Sequence, residues 1–402
     1  MAGEGALIRR LRLEQNLSQE TLCRGICAAS YLSKIEQGQV DAGTEIVDLL
    51  FRALGVEYCR DEALLERAGE CLEAYYVDWE EEREPNRETV QWLETNRDRL
   101  RCSQWSMDLE LWQLLHMCQE RAAVCSRAEE LERLRPVMTR EQQYRYCQLR
   151  AELSQSWQSR LQWLLQAEQI HLCAWVRYWV AYCCFALGQY SRCADAAASS
   201  YQLAAEEGNS YVLIWASFLL GSCFCETDLT MARRHYLRAI RLGRDRYPEL
   251  EAHACYNLGA SHLEVGKLEA AEHWLSRAAE LPAQPDHDLL LAQKRTLLYC
   301  RLGRSEEARQ ALERAETILR EHWDLFRDQP LQQSMIRFAR LELEGKQLLP
   351  EYEEILQKLR LQAGEELGFG FRRFYGAYLI ELYRRQRRYK EALQIAEQQR
   401  LS

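Results

Sequence analysis

Small residues recur in step with large ones through the second half of this chain, and that recurrence restricts the fold more than any other feature. The run Cys255-Tyr256-Asn257-Leu258-Gly259 leads to Gly266-Lys267-Leu268-Glu269-Ala270-Ala271, then to Trp274-Leu275 and Arg277-Ala278-Ala279. Copies of similar phase stand at Leu187-Gly188-Gln189-Tyr190 with Cys193 and Ala197, and at Leu220-Gly221 with Ala232, Tyr236 and Ala239. Another runs from Leu302-Gly303-Arg304-Ser305-Glu306-Glu307-Ala308 to Leu312 and Ala315, and Arg388-Tyr389-Lys390-Glu391-Ala392-Leu393 repeats the turn and second-helix start. Gly188 and Gly266 lie 78 residues apart, Gly266 and Gly303 37, and Gly303 and Gly345 42, a period near 40. Small residues at fixed phase let two helices cross closely while large ones fill the gaps, so each unit buries its apolar face only by stacking on the next.

This pattern resembles the tetratricopeptide repeat, with helices or turns somewhat longer than the usual period of about 34 residues requires. The resemblance implies a right-handed α-solenoid whose concave face is lined by the first helix of each repeat. Residues 173–402 carry the clearer repeats. Over 78–172 the signal is fainter, yet Trp92, Trp105, Leu109, Trp112 and Leu115, then Leu149, Leu153, Trp157, Leu161 and Leu164, keep helical spacing and read as degenerate hairpins. Residues 61–77 read as a connecting helix, and Pro85-Asn86 as a break.

Composition agrees with an all-α chain: 402 residues contain only seven Pro and nineteen Gly. Sixteen cysteines would staple a small secreted domain, but here they are scattered through apolar helical stripes with no signal peptide before them. They read as reduced core residues. The longest apolar run, Tyr211 to Cys225, is broken by Ser and Gly and falls short of the roughly twenty residues that span a bilayer. A soluble cytoplasmic protein without a membrane segment is expected.

Residues 1–60 have a different character. Leu7, Ile8, Leu11 and the stem of Arg12 give a first helix one apolar face; Ser18 caps a second, with Glu20 at its positive end and Leu22 in the core. Gly25 breaks the chain, and Ser30 to Gln37 forms a third helix with Leu32 and Ile35 inward and Ser30, Tyr31, Ser33 and Lys34 outward. Gly38 ends it. A polar outer face of short side chains suits entry into a major groove, where Lys34 reaches guanine.

These residues resemble the repressor-like (XRE-type) helix-turn-helix family, which implies a five-helix DNA-binding head. By that resemblance Ser30 and Lys34 contact bases, Tyr31 shares their face, and Gln19, Ser33 and Gln37 lie near phosphate. Arg12 and Glu36 match the family's buried ion pair. Ala28 and Ala29 depart from the pattern, standing where a capping hydroxyl and a polar base reader are usual, and the segment is one residue shorter than the commonest version.

The chain carries a formal net charge of −9, and residues 1–60 hold seven Lys or Arg against eight Asp or Glu. No strongly basic module steers DNA from afar, so affinity is expected to depend on dimers engaging two half-sites.

In the repeat phase, the residues projecting from the inner face are Trp175, Tyr178 and Tyr182; Trp215, Phe218 and Ser222; Tyr256 and Asn257; Gln293 and Lys294; and Phe374, Tyr378 and Glu381. Aromatic walls with isolated amides suit an extended peptide, whose backbone pairs with the amides. For any single aromatic, packing between hairpins is the competing reading. No catalytic constellation accompanies them. There is no phosphate-cradling loop and no His-Glu-x-x-His; Cys183-Cys184 and Cys223-Phe224-Cys225 lack zinc spacing, and His253, His262 and His273 are spread over a repeat. No cofactor and no metal are expected.

The whole architecture is similar to the Rgg and PlcR group of quorum-sensing regulators from Gram-positive bacteria. That resemblance implies a cytoplasmic homodimer that binds a double-stranded DNA operator and a short peptide, the peptide altering how the two heads are spaced. Two other readings stay open: an interaction scaffold whose head dimerises or docks, and a phage-type repressor whose helices serve oligomerisation alone.

Overall fold

The computed structural model describes residues 2–118, 121–225 and 228–400. Among these every regular element is a helix. The chain forms two compact units, one from the described residues up to 155 together with 159–172, the other from 156–158 and the residues from 173 on.

The first unit begins with α1 (Ala2–Glu14), α2 (Gln19–Leu22), α3 (Ala29–Glu36) and α4 (Thr44–Ala53). Ile8, Leu32, Ile35, Val47, Leu50 and Phe51 form their common core. Ser18 caps α2 by accepting the Thr21 amide at 3.0 Å, whereas Ala28 at the start of α3 offers no side-chain cap. Gly5 is required by packing: a Cβ there would run into the Ile35 carbonyl, so α1 crosses α3 at backbone distance.

The unit continues with α5 (Glu62–Glu80), α6 (Arg87–Thr95), α7 (Arg97–Leu100), α8 (Ser106–His116), α9 (Arg121–Glu132), α10 (Arg140–Glu152) and α11 (Trp157–Ile170). The helix expected over 61–77 runs three residues further and is more than a connector. Its Leu64, Ala68, Cys71, Leu72 and Tyr75 are buried in one core with Leu109, Trp112 and Leu115 of α8. Arg10 of α1 ties the head to α8 by a 2.5 Å ion pair with Glu110, which is also paired at 2.5 Å with Arg127 of α9.

The second unit holds α12 (Ala174–Ala186), α13 (Tyr190–Glu207), α14 (Ser210–Phe224), α15 (Leu229–Gly243), α16 (Leu250–Glu264), α17 (Leu268–Ala279), α18 (Pro285–Arg301) and α19 (Ser305–Glu321). After a single turn, α20 (Trp323–Phe326), come α21 (Pro330–Leu343), α22 (Pro350–Glu366), α23 (Phe369–Arg385) and α24 (Tyr389–Arg400). Paired antiparallel helices stack into a helical-repeat solenoid.

Its glycines serve two purposes. Gly188, Gly266, Gly303 and Gly345 adopt φ of +77°, +76°, +71° and +67°, each just past the first helix of a hairpin. In each case the next amide reaches back to a carbonyl five residues earlier, as Lys267 does to His262 at 2.9 Å and Arg304 to Tyr299 at 3.0 Å. That closes the helix end with a left-handed residue, where a Cβ is unfavourable. Gly221 and Gly259 are different. They sit inside α14 and α16, and a Cβ would lie 2.7 Å from the Tyr236 ring or 2.6 Å from Leu275. Gly221 therefore matches Gly259, the crossing position, and not the turn glycines.

Within this unit the inner side of α23 reaches those of α16 and α18. Arg373 forms a two-pronged pair with Glu264, and Gln293 donates to the Tyr375 hydroxyl at 3.0 Å. All cysteines among the described residues are free thiols. None of the described helices is long and apolar enough to cross a membrane.

Candidate DNA-reading helix and candidate ligand groove

Leu32 and Ile35 anchor α3 in the head core, which turns Ser30, Lys34 and Gln37 to solvent and leaves Ser33 and Tyr31 half-buried. Tyr31 packs partly on that core. Gln37 reaches Ser33 Oγ at 3.3 Å across one turn. Behind this face the Arg12 guanidinium binds both Glu36 oxygens, Nε to Oε1 at 2.6 Å and Nη2 to Oε2 at 2.9 Å, and gives Nη1 to the Leu17 carbonyl at 2.8 Å. Hydrogen bonding to Glu36 raises the Arg12 pKa, so the pair stays charged. Gln19 donates to Glu36 at 2.7 Å, which holds its side chain against the ion pair and not out over the helix-turn-helix surface.

The first helices of the early repeats carry an aromatic wall. Tyr178 meets Tyr211 edge-on at 6.1 Å, Trp215 meets Phe218 at 5.6 Å, and Phe218 leans on Tyr236 at 4.9 Å. Tyr182, Trp215 and Phe218 are half-buried, while Trp175 and Tyr178 are buried between helices. Ser222 and Asn257 both bond the Tyr236 hydroxyl, at 3.0 and 3.2 Å, which orients them along one line.

Further along, the residues expected to project into an open groove are covered. Tyr256, Gln293, Lys294, Phe374 and Tyr378 are buried because α23 closes onto α16 and α18; Glu381 stays exposed. Several buried polar atoms here find no hydrogen-bond partner: the Tyr256 hydroxyl, Gln293 Oε1, Lys294 Nζ and both nitrogens of the neighbouring His287. Lys294 is 2% exposed, with Nζ 3.2 Å from the Phe374 ring centre. Burial pushes its pKa down to about 7 against the opposing pull of Glu264, whose own carboxyl burial raises to about 7. His287, 4.5 Å from the His253 ring, is driven down to about 4, chiefly by burial. Beside this cluster a cavity of about 480 Å³ is lined by Arg301, Glu342, Tyr378, Glu381 and Arg385 among others.

Sequence reasoning missed Glu264, His287, Arg373 and Tyr375. Glu264 and Arg373 pair across 109 residues, and no local spacing marks such a contact. Among the described residues no group of three His, Cys, Asp or Glu has the arrangement of a metal site.

A helix-turn-helix family model matches residues 8–59. No curated protein sequence matches the chain. Among solved structures, the apo form of the quorum sensor NprR from B. thuringiensis aligns with TM-score 0.61 at 17% identity, over 84% of this chain and 97% of that one. NprR in complex with its cognate peptide NprX gives 0.58 at 15% identity, over 83% and 99%. A Rap protein complexed with Competence and Sporulation Factor gives 0.56 at 14%, over 84% and 96%. At such identities the likeness is one of fold. The chain thus carries a helix-turn-helix domain at residues 8–59 and shares, over most of its length, the helical-repeat fold of the NprR and Rap proteins.

Proposed function

We propose that this protein is a DNA-binding transcriptional regulator controlled by a short linear peptide held on the inner face of its repeats. The observation that carries the sensor half is the set of buried polar atoms left without partners on the first helices α16 and α18. A buried polar group costs free energy unless it is hydrogen-bonded, so such a cluster is best explained by a ligand that supplies the missing bonds. A peptide fits: its backbone offers donors and acceptors at regular intervals, and the aromatic wall from Trp175 to Phe218 holds apolar side chains. NprR, of the same fold, has been solved with its peptide NprX.

For the head, the reading assigns base contacts to Ser30 and Lys34, phosphate contacts to Ser33 and Gln37, and a buttressing role to Gln19 through Glu36. Tyr31 flanks the base-reading pair. The protein acts as a cytoplasmic homodimer, because a head with such balanced charge needs two half-sites to reach useful affinity. Peptide binding shifts the population of array conformations and with it the spacing of the heads. The test is capture of short peptides from a cell extract on the full chain, followed by operator binding with and without the captured peptide. Capture without any change in operator affinity would reject the coupling.

A further inference from the structure

Lys294 poses a problem that the fold leaves unsolved. Its ammonium is buried, makes no hydrogen bond, and rests against the face of Phe374. Glu264 faces it, yet that carboxylate gives both oxygens to Arg373. The neighbouring Gln293 spends its amide nitrogen on Tyr375 and keeps an unpaired oxygen. A cation in such surroundings costs several kcal/mol unless a partner arrives. The rings of Phe374, Phe371 and Tyr375, 3.2, 5.2 and 5.5 Å away, recover part of that, about 2 kcal/mol for a close desolvated cation–π contact, but supply no hydrogen bond.

We infer that Lys294 is the receptor for a carboxylate of the groove's ligand, so that the peptide this protein senses is recognised through an acid group. The inference rests on the peptide reading above and adds its chemistry. The charged groups acting on the amine are Glu264 from α16 and Arg301 on α18 itself; Arg373 from α23 holds Glu264, and Glu342, Glu381 and Arg385 line the cavity beyond Tyr378. With the single carboxylate Glu264 taken up by Arg373, the amine and Arg301 are left with an excess of positive charge. Access lies through α23, where Phe374 covers the amine and Tyr378, 5.4 Å from Phe374, lines the cavity of about 480 Å³. Arg301, on the same helix as the amine, lines that cavity too. Because the free amine titrates near neutrality, seating a carboxylate beside it draws a proton from solvent onto Nζ and fixes the ammonium.

The test uses the full chain and a mixed library of short synthetic peptides made twice, as free C-terminal acids and as C-terminal amides. Peptides retained after gel filtration are identified by mass. Wild type is expected to retain peptides with a carboxylate, and Lys294→Met to bind the same peptides more than about tenfold more weakly. Retention from the acid library alone assigns the terminal carboxylate as the partner. Retention of Asp- or Glu-containing peptides from both libraries assigns a side chain. Calorimetry of wild type at pH 8 in buffers of different ionisation enthalpy gives a second readout, with net proton uptake expected. Equal affinity in Lys294→Met, or no proton uptake by wild type, overturns the role of Lys294 and leaves the groove standing. If wild type retains no peptide from either library, the groove reading itself fails and the inference falls with it.

Discussion

Glu264 and Arg373 lie 109 residues apart and are clasped by hydrogen bonds of 2.6 and 2.9 Å, fastening the end of α16 to the second turn of α23. This clasp holds α23 against α16 and engages the carboxylate that faces Lys294. Arg373→Ala is expected to raise amide exchange at the start of α23 by on the order of tenfold, since local opening then breaks fewer contacts. Unchanged exchange would mean that the clasp does not hold α23 against α16.

Lys294 has its pKa pushed down to about 7 by burial, against the pull of Glu264 and with a smaller push from Arg301. A lysine whose folded pKa is depressed binds fewer protons folded than unfolded, so its contribution to stability falls as pH drops from the unfolded value near 10.5 towards 7 and is flat below. Lys294→Met is therefore expected to raise Tm at pH 6.5 by about 5 °C, with the gain fading above pH 10. Thermal scans across pH decide it; a loss of stability at pH 6.5 would show that the amine has a partner in the folded state.

Arg12 and Glu36 form the buried pair that joins α1 to α3, with Gln19 and the Leu17 carbonyl completing it. Removing one member strands the other charge. Arg12→Ala is expected to destabilise the head by about 3 kcal/mol, whereas replacing both members with apolar residues restores most of that. Denaturant unfolding of single and double variants measures the difference, and a harmless Arg12→Ala would contradict a structural role.

The two kinds of glycine differ in what a methyl group does. Gly259→Ala forces a Cβ to 2.6 Å from Leu275 inside a packed crossing, an overpacking cost of about 1–3 kcal/mol. At Gly266 nothing lies within 4 Å, so Gly266→Ala meets only the left-handed backbone penalty of about 1 kcal/mol. Calorimetric Tm values for the two variants are expected to fall in that order.

What could be read from the chain, and what could not, follows from the range of each interaction. The turns at Gly188, Gly266, Gly303 and Gly345 were legible because a left-handed helix end asks for glycine locally. Gly221 is a crossing glycine because the Tyr236 ring lies against it, a contact that the dipeptide Leu220-Gly221 does not announce. Lys294 and Tyr378 read as open groove residues because helical phase gives their direction and says nothing of what covers them. The cover, α23, depends on the summed curvature of several hairpins. For the same reason the Glu264–Arg373 clasp left no sequence trace, while the partners Arg12 and Glu36 sit in one short motif.

The exposed polar face of α3 makes a further demand. Lys34→Ala together with Ser30→Ala is expected to weaken specific DNA binding by roughly 1–3 kcal/mol per base contact, leaving the Arg12–Glu36 pair and the head fold intact. Competition assays against random DNA, with circular dichroism as a control for folding, separate lost reading from lost structure.

The most direct test of a peptide-controlled DNA reader is capture of genomic fragments on the full chain at near-physiological salt, sequenced with and without cell-derived short peptides. A shared inverted-repeat motif whose enrichment changes with peptide is the predicted result. Capture without a common motif at any salt, or a motif indifferent to every peptide fraction, would contradict the account.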